Sequence, residues 1–228
     1  LNEEAAIGAV VAAVPRAVVD EVIVVDGGSR DATVHVAEAA GARVVPEQRR
    51  GYGRACASGA AATSADVIVW LDGDGSDDAS AIGQIVGPIW RGEADLVLGS
   101  RARVEASAMP FYARAGNTFA ALVISLLWGQ RITDLPSCKA IRRSDLVNLR
   151  MSEATYGWTT ELIVKAARQG LRLKEVPLAY RPRVGGVSKV SGNPYASAKA
   201  AIAILRVLAR HGFGRPDQGL AGQPALVE

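Results

Sequence analysis

Short apolar runs alternate with helical patterns through the first half of the chain, and this alternation restricts it to few folds. Residues 21–25, 42–45, 67–71 and 95–98 read as strands, the third being the unbroken run Val67-Ile68-Val69-Trp70-Leu71. Helical stretches separate them. One can be capped by Asn2 and runs through Ala12, and another can be capped by Asp31 and closed by Gly41. Two more fall at 54–62 and 82–90. Strand, helix and strand in succession predict a parallel, doubly wound α/β sheet with helices on both faces. Ligands of such sheets bind in the crevice beyond the carboxyl ends of the strands. The residues that follow each strand are therefore the first candidates for chemistry.

Two strand ends carry carboxylates. Val25 leads into Asp26-Gly27-Gly28-Ser29, and Leu71 into Asp72-Gly73-Asp74. Two hard oxygen ligands one residue apart, with glycine allowing a sharp turn, suit Mg2+ or Mn2+ carrying a phosphorylated substrate. The plainer alternative is an acidic turn before the next helix, where Asp77, Asp78 or Ser80 can serve as cap without Asp72 or Asp74. An EF-hand calcium loop is excluded. Its sixth position needs Gly and holds Asp77, its twelfth needs Glu and holds Gly83, and a strand precedes it. Asp26 can accept hydrogen bonds from a base or a ribose, or can simply be a turn residue.

Other classes fall away on motif and composition. No GxGxxG follows the early strands and no GxxxxGK[ST] occurs, which argues against dinucleotide dehydrogenases and P-loop enzymes. The two histidines, His35 and His211, lie in neither a nucleophile elbow nor an HExxH, so a hydrolase triad and a zinc site are not supported. Cys56 and Cys138 form no CxxC, and a reduced, cytoplasmic protein is the expectation, with one disulfide left open. The net charge of +3 is too small to imply a nucleic-acid partner. No apolar stretch approaches the ~20 residues of a membrane span, the longest being 119–128.

The second half is less regular. A helix is expected at 115–128, a short strand at 138–141, and an amphipathic helix at 159–168 ended by Gly170. A strand at 173–180 is expected at a sheet edge because Pro177 interrupts it. A loop rich in Gly and cations follows at 181–192, then a final helix at 195–210. That helix aligns Ala200, Ile204, Val207 and Leu208 on one face beside Lys199, Arg206 and Arg210, a pattern either for weak, peripheral contact with a membrane surface or for packing of that face on the domain. Length and pattern suit one domain over 1–211, with a nucleotide-binding half at 1–101, an acceptor half at 102–192 and the last helix at 193–211. Gly, Pro and Gln dominate 212–228, where disorder is expected.

Six segments, in order, resemble the motifs of family-2 glycosyltransferases with the GT-A fold. Leu1-Asn2-Glu3-Glu4 resembles the end of "P-x-x-NE", and Val24-Val25-Asp26-Gly27-Gly28-Ser29-Arg30-Asp31 resembles "VVDDGSxD". Arg50-Gly51-Tyr52-Gly53 is similar to "xG[KY]G", Asp72-Gly73-Asp74 to the DxD loop, and Gly99-Ser100-Arg101 to "GSR". Residues 181–191 resemble the basic stretch of the dolichol-phosphate mannose synthase branch and its bacterial relatives. Three departures stand out. Gly27 replaces a second Asp, Ser76 stands where that branch often has Gln, and Cys138-Lys139 replaces Gly-Phe in a "TDP-x-SGF" segment.

The resemblance implies a Rossmann-like, mostly parallel sheet and a metal-dependent, inverting transfer of a sugar from a UDP- or GDP-sugar to a polyprenyl phosphate. It further implies that Asn2, Glu3, Asp26, Gly51 and Gly53 hold the nucleotide, that Asp72 and Asp74 hold Mg2+ or Mn2+ on the diphosphate, and that Arg101 lies near the phosphates. Arg181, Arg183, Ser188 and Lys189 would bind the acceptor phosphate or the diphosphate. A hydroxyl acceptor would need a general base, for which Asp134 is the best-placed candidate and Glu161 another, whereas a phosphate acceptor would not. A helix-surface role for Glu161 is the competing expectation. A soluble hydroxyl acceptor, or a binding protein without turnover, are the alternatives. In the resembled fold a central strand precedes the motif at Leu1, and this chain is expected to lack it, so that the strands at 22–25 and 67–71 would not pair directly.

Overall fold

Consecutive residues of the central strands are buried, and their side chains divide the core between two sheet faces. A computed structural model describes residues 1–104, 108–185 and 194–212. The first half runs α1 (Glu4–Ala13), β1 (Ile23–Asp26), α2 (Thr33–Ala39), β2 (Arg43–Pro46), α3 (Tyr52–Ala61), β3 (Val67–Trp70) and α4 (Ile82–Trp90). The second half runs β4 (Leu96–Val104), α5 (Phe111–Trp128), β5 (Lys139–Arg142), α6 (Arg143–Asn148), α7 (Trp158–Arg168), β6 (Leu173–Tyr180) and α8 (Pro194–Gly212).

The α/β class holds, and the strand pairing is mixed rather than purely parallel. β1 and β2 form a parallel pair, while the other four strands make a sheet of order β3-β5-β4-β6. β5 runs antiparallel to both β3 and β4, and β4 pairs with β6 in parallel. β1 and β3 are not paired with each other. β6 is the edge expected from Pro177. The short strand at 138–141 is an interior strand, because Ala140 and Ile141 are apolar on opposite faces and each finds a core.

Leu96, Leu98 and Ile141 face a cluster built with Ala120, Ile124, Trp158 and Leu162 of α5 and α7. Val97 and Ala140 face the other way, onto Ile82, Ile85 and Ile89 of α4. A third cluster joins Ile7 and Val11 of α1 to Ala37 of α2 above the β1–β2 pair.

Two expectations about helices are corrected. Glu161 is not a surface residue, since every residue from Trp158 to Ala167 is buried. Its carboxylate pairs with Lys165 Nζ at 2.9 Å and accepts the backbone N–H groups of Ser152 and Glu153 at 3.0 and 2.7 Å, so charge is compensated where periodicity suggested solvent. The α8 face carrying Val207 and Leu208 is also not outward. Both side chains are buried, and α8 packs on α7 and α5. The expected disorder beyond Gly212 falls outside the described residues.

Candidate active site

Three strand ends converge on one cleft of about 1980 Å3, lined among others by Glu3, Asp26, Asp72, Asp74, Arg101 and Arg183. Asp26 ends β1, and its Oδ2 accepts the backbone N–H groups of Gly28 and Ser29, both at 2.9 Å. Burial alone would raise its pKa, but these bonds and the Ser29 hydroxyl outweigh it and hold the carboxyl below its ordinary value. Asp26 is thus both a turn residue and an ionised group at the cleft. Asn2 knits the same corner, its backbone N–H donating to Ser29 Oγ at 2.8 Å and its side chain accepting from Arg30 N–H at 2.9 Å.

The carboxylate loop after β3 is held from within. Ser76 donates its N–H and its hydroxyl to Asp74 Oδ1 at 3.0 and 2.6 Å. Ser76 is therefore spent on orienting Asp74. Asp77 Oδ2 accepts the Asp72 N–H at 3.0 Å and the Ser137 hydroxyl at 2.8 Å, while Asp78 accepts the Ser80 N–H that opens the next turn. Burial, then Asp77 and Asp74, push Asp72 up to about 7. Crowded carboxylates of this kind are stabilised by a cation, and all-oxygen ligands fit Mg2+ or Mn2+. Among the described residues no three His, Cys, Asp or Glu side chains gather as a ready-made metal cage. Asp72 and Asp74 would supply protein ligands, and phosphate oxygens and water the rest.

The basic stretch lies directly on this loop. Past β6 the chain folds back, so that Arg181 N–H donates to Ser76 C=O and Val184 N–H to Asp74 C=O, both at 3.0 Å. Gly75 adopts φ +82°, and a Cβ there would lie 2.7 Å from Val184 Cγ2. Arg183 bridges two carboxylates, donating to both oxygens of Glu3 at 2.8 and 2.7 Å and lying 3.4 Å from Asp74 Oδ2. Arg183 and Glu3, 180 positions apart in the chain, thus meet across the cleft. Arg181 is more exposed, 3.7 Å from Asp78. Ser188 and Lys189 lie outside the described residues.

Arg101 and Asp134 form a bidentate pair with both contacts at 2.7 Å, and Arg101 also donates to Leu135 C=O at 3.0 Å and stacks over Tyr180. Burial opposes ionisation of Asp134, but Arg101 outweighs it and keeps the carboxyl below its ordinary range. A carboxylate so held is a weak proton acceptor. Gly51 and Gly53 serve packing at the cleft wall. A Cβ at either would come within 2.2 Å of the Ala154 or Glu153 carbonyl oxygen.

Sequence reasoning missed Asp77 as a loop organiser and Lys139 as its neighbour. Lys139 is fully buried, donates to Ser137 C=O at 2.9 Å and Tyr52 Oη at 3.2 Å, and faces the Tyr52 and Trp70 rings. The available signal was a lysine opening the apolar run Ala140-Ile141. What it meets there depends on Trp70 and Tyr52, which are distant in sequence.

Residues 1–149 match the family model described as glycosyl transferase family 2. An uncharacterised glycosyltransferase of Mycobacterium tuberculosis is 36% identical over 208 residues, covering 91% of this chain and 94% of that one. A dolichyl-phosphate hexose transferase of Haloferax volcanii is 36% identical over 188 residues, covering 81% of each. Among solved structures, glucosyl-3-phosphoglycerate synthase of Mycobacterium tuberculosis, in complex with Mn2+, UDP and glucosyl-3-phosphoglycerate, aligns with TM-score 0.70 at 27% identity over 96% of this chain and 79% of that one. The chain belongs to glycosyl transferase family 2. It is a glycosyltransferase with a GT-A-type fold.

Proposed function

We propose that the protein transfers a sugar from a UDP- or GDP-sugar to a polyprenyl phosphate with inversion, using Mg2+ or Mn2+. The observation that carries the acceptor class is the state of the two candidate bases. Asp134 is locked to Arg101, and Glu161 is buried against Lys165. A phosphate acceptor is already an anionic nucleophile and needs neither. Its oxygen attacks the anomeric carbon from the face opposite the diphosphate. The bond to the diphosphate oxygen breaks, and the electron pair leaves with the nucleotide. Asp72 and Asp74 would hold the divalent ion, which when bound would supply charge stabilisation at the diphosphate. Asn2 and Asp26 fix the loop beside the nucleoside, and Arg101 and Arg183 set fixed cations where negative charge develops. The name of the archaeal relative supports a lipid-phosphate acceptor.

A soluble acceptor is the second reading, favoured by the glucosyl-3-phosphoglycerate synthase likeness. Incubation of a labelled UDP- or GDP-sugar with polyprenyl phosphate, followed by organic extraction, separates the two. Label in the organic phase is the expected result, and label transferred only to water-soluble acceptors would overturn it.

Arg183 gives a sharper test of the donor side. Arg183→Ala is expected to raise the donor KM by about tenfold or more, the worth of one charge-assisted contact, and to change the acceptor KM less. A rise confined to the acceptor KM would return the loop to the acceptor.

A further inference from the structure

We propose that the outward faces of α5 and α8 together form a docking surface for an anionic lipid bilayer. Phe111, Phe119, Leu122 and Leu126 recur along one face of α5 and are exposed, Phe111 by 85% and Leu126 by 77%. They are not spare core residues, because Ala120, Ala121 and Ile124 on the opposite face already fill the interior. On α8, Ile202 and Leu205 are exposed one turn apart, while Val207 and Leu208 are the inward pair. The two helices are in contact with each other. Exposed apolar faces on two neighbouring helices mark an interaction site.

Charge selects the partner. Neither α5 nor α8 contains Asp or Glu, whereas Arg114, Lys199, Arg206 and Arg210 are exposed on them. Apolar side chains on helices whose charged residues are all basic match the interface of a bilayer bearing anionic headgroups. A second copy of this chain on the same face would set cations against cations. No described helix is long and apolar enough to cross a membrane, so the contact is peripheral. The cleft that holds Asp72 and Arg101 is also lined by Tyr112 and Asn117 of α5 and by Ile202 and Leu205 of α8. Docking on this face therefore sets the mouth of the cleft at headgroup level. The docking rests on exposure and charge and stands independently of the acceptor reading.

The test is flotation of the full chain with vesicles of phosphatidylcholine, with or without phosphatidylglycerol. Binding is expected to the phosphatidylglycerol vesicles at low salt and to be lost at about 1 M salt, where the Debye length falls to about 3 Å. Leu122→Ser with Leu126→Ser is expected to weaken partitioning about tenfold or more, with an unchanged thermal melt and unchanged nucleotide-sugar binding. Failure of the wild type to float with phosphatidylglycerol vesicles overturns the proposal, as does wild-type binding by the double variant. A dimer in lipid-free sedimentation that this variant dissociates also overturns it, because the face then belongs to a second copy. Vesicle binding without sugar transfer to polyprenyl phosphate would leave the docking in place and remove the acceptor reading.

Discussion

Asp74→Ala is expected to reduce sugar transfer on the order of 10³-fold in kcat/KM, since a bound divalent ion contributes several kcal/mol of charge stabilisation in the transition state. Asp74 is the carboxylate that Ser76 orients and Arg183 approaches. Its side chain is 19% exposed, but it accepts the N–H and hydroxyl of the buried Ser76, so a stability loss of about 1–3 kcal/mol is expected, short of unfolding. Steady-state kinetics over a range of Mn2+ and Mg2+, with a thermal melt beside them, checks both halves. Near-normal turnover at saturating metal would remove Asp74 from the metal site.

Glu161→Ala is expected to have the largest effect on stability, about 3–5 kcal/mol. The variant strands the Lys165 ammonium, itself 3% exposed, and removes the acceptor for Ser152 and Glu153 N–H. Against a typical stability of about 5–15 kcal/mol, this approaches unfolding. Burial opposes the Glu161 charge, but Lys165 and the Ser152 and Glu153 donors outweigh it, so its folded pKa lies below the unfolded value. The stabilisation is therefore complete above the unfolded carboxylate pKa of about 4.3 and is lost as pH falls through the lower folded value. Urea midpoints of wild type and Glu161→Gln should differ most near neutrality and converge in acid. A constant difference across that window would show that the charge is not the source.

Much of this was visible in the chain itself, and what was hidden shares one cause. The strands ending at Asp26 and Leu71 could be read because a buried strand is a local apolar run, and the candidate carboxylates are the next residues along. Glu161 and Lys165 could not. Four apart on a helix they form the pattern of a wet surface, and only the packing around α7 shows that water is excluded. The orientation of α8 stayed open for the same reason, for two of its faces carry apolar residues and the sequence does not say which one α5 and α7 cover. The interior, antiparallel place of β5 was also hidden, because a strand of four residues, the first three buried, fits either direction. Arg183 reaches Glu3 across nearly the whole chain, a distance no local pattern encodes.

The two backbone bonds from Arg181 and Val184 tie the basic loop to the carboxylate loop, so that in the proposed reading donor and acceptor share one stretch of chain. If the donor favours the arrangement in which those bonds are made, it raises the affinity for an acceptor that favours the same arrangement by some factor. Thermodynamic reciprocity requires the acceptor to raise donor affinity by that same factor. Selectivity for sugar and selectivity for acceptor are then coupled traits, and a substitution between Arg181 and Gly185 that retunes one will be felt in the other.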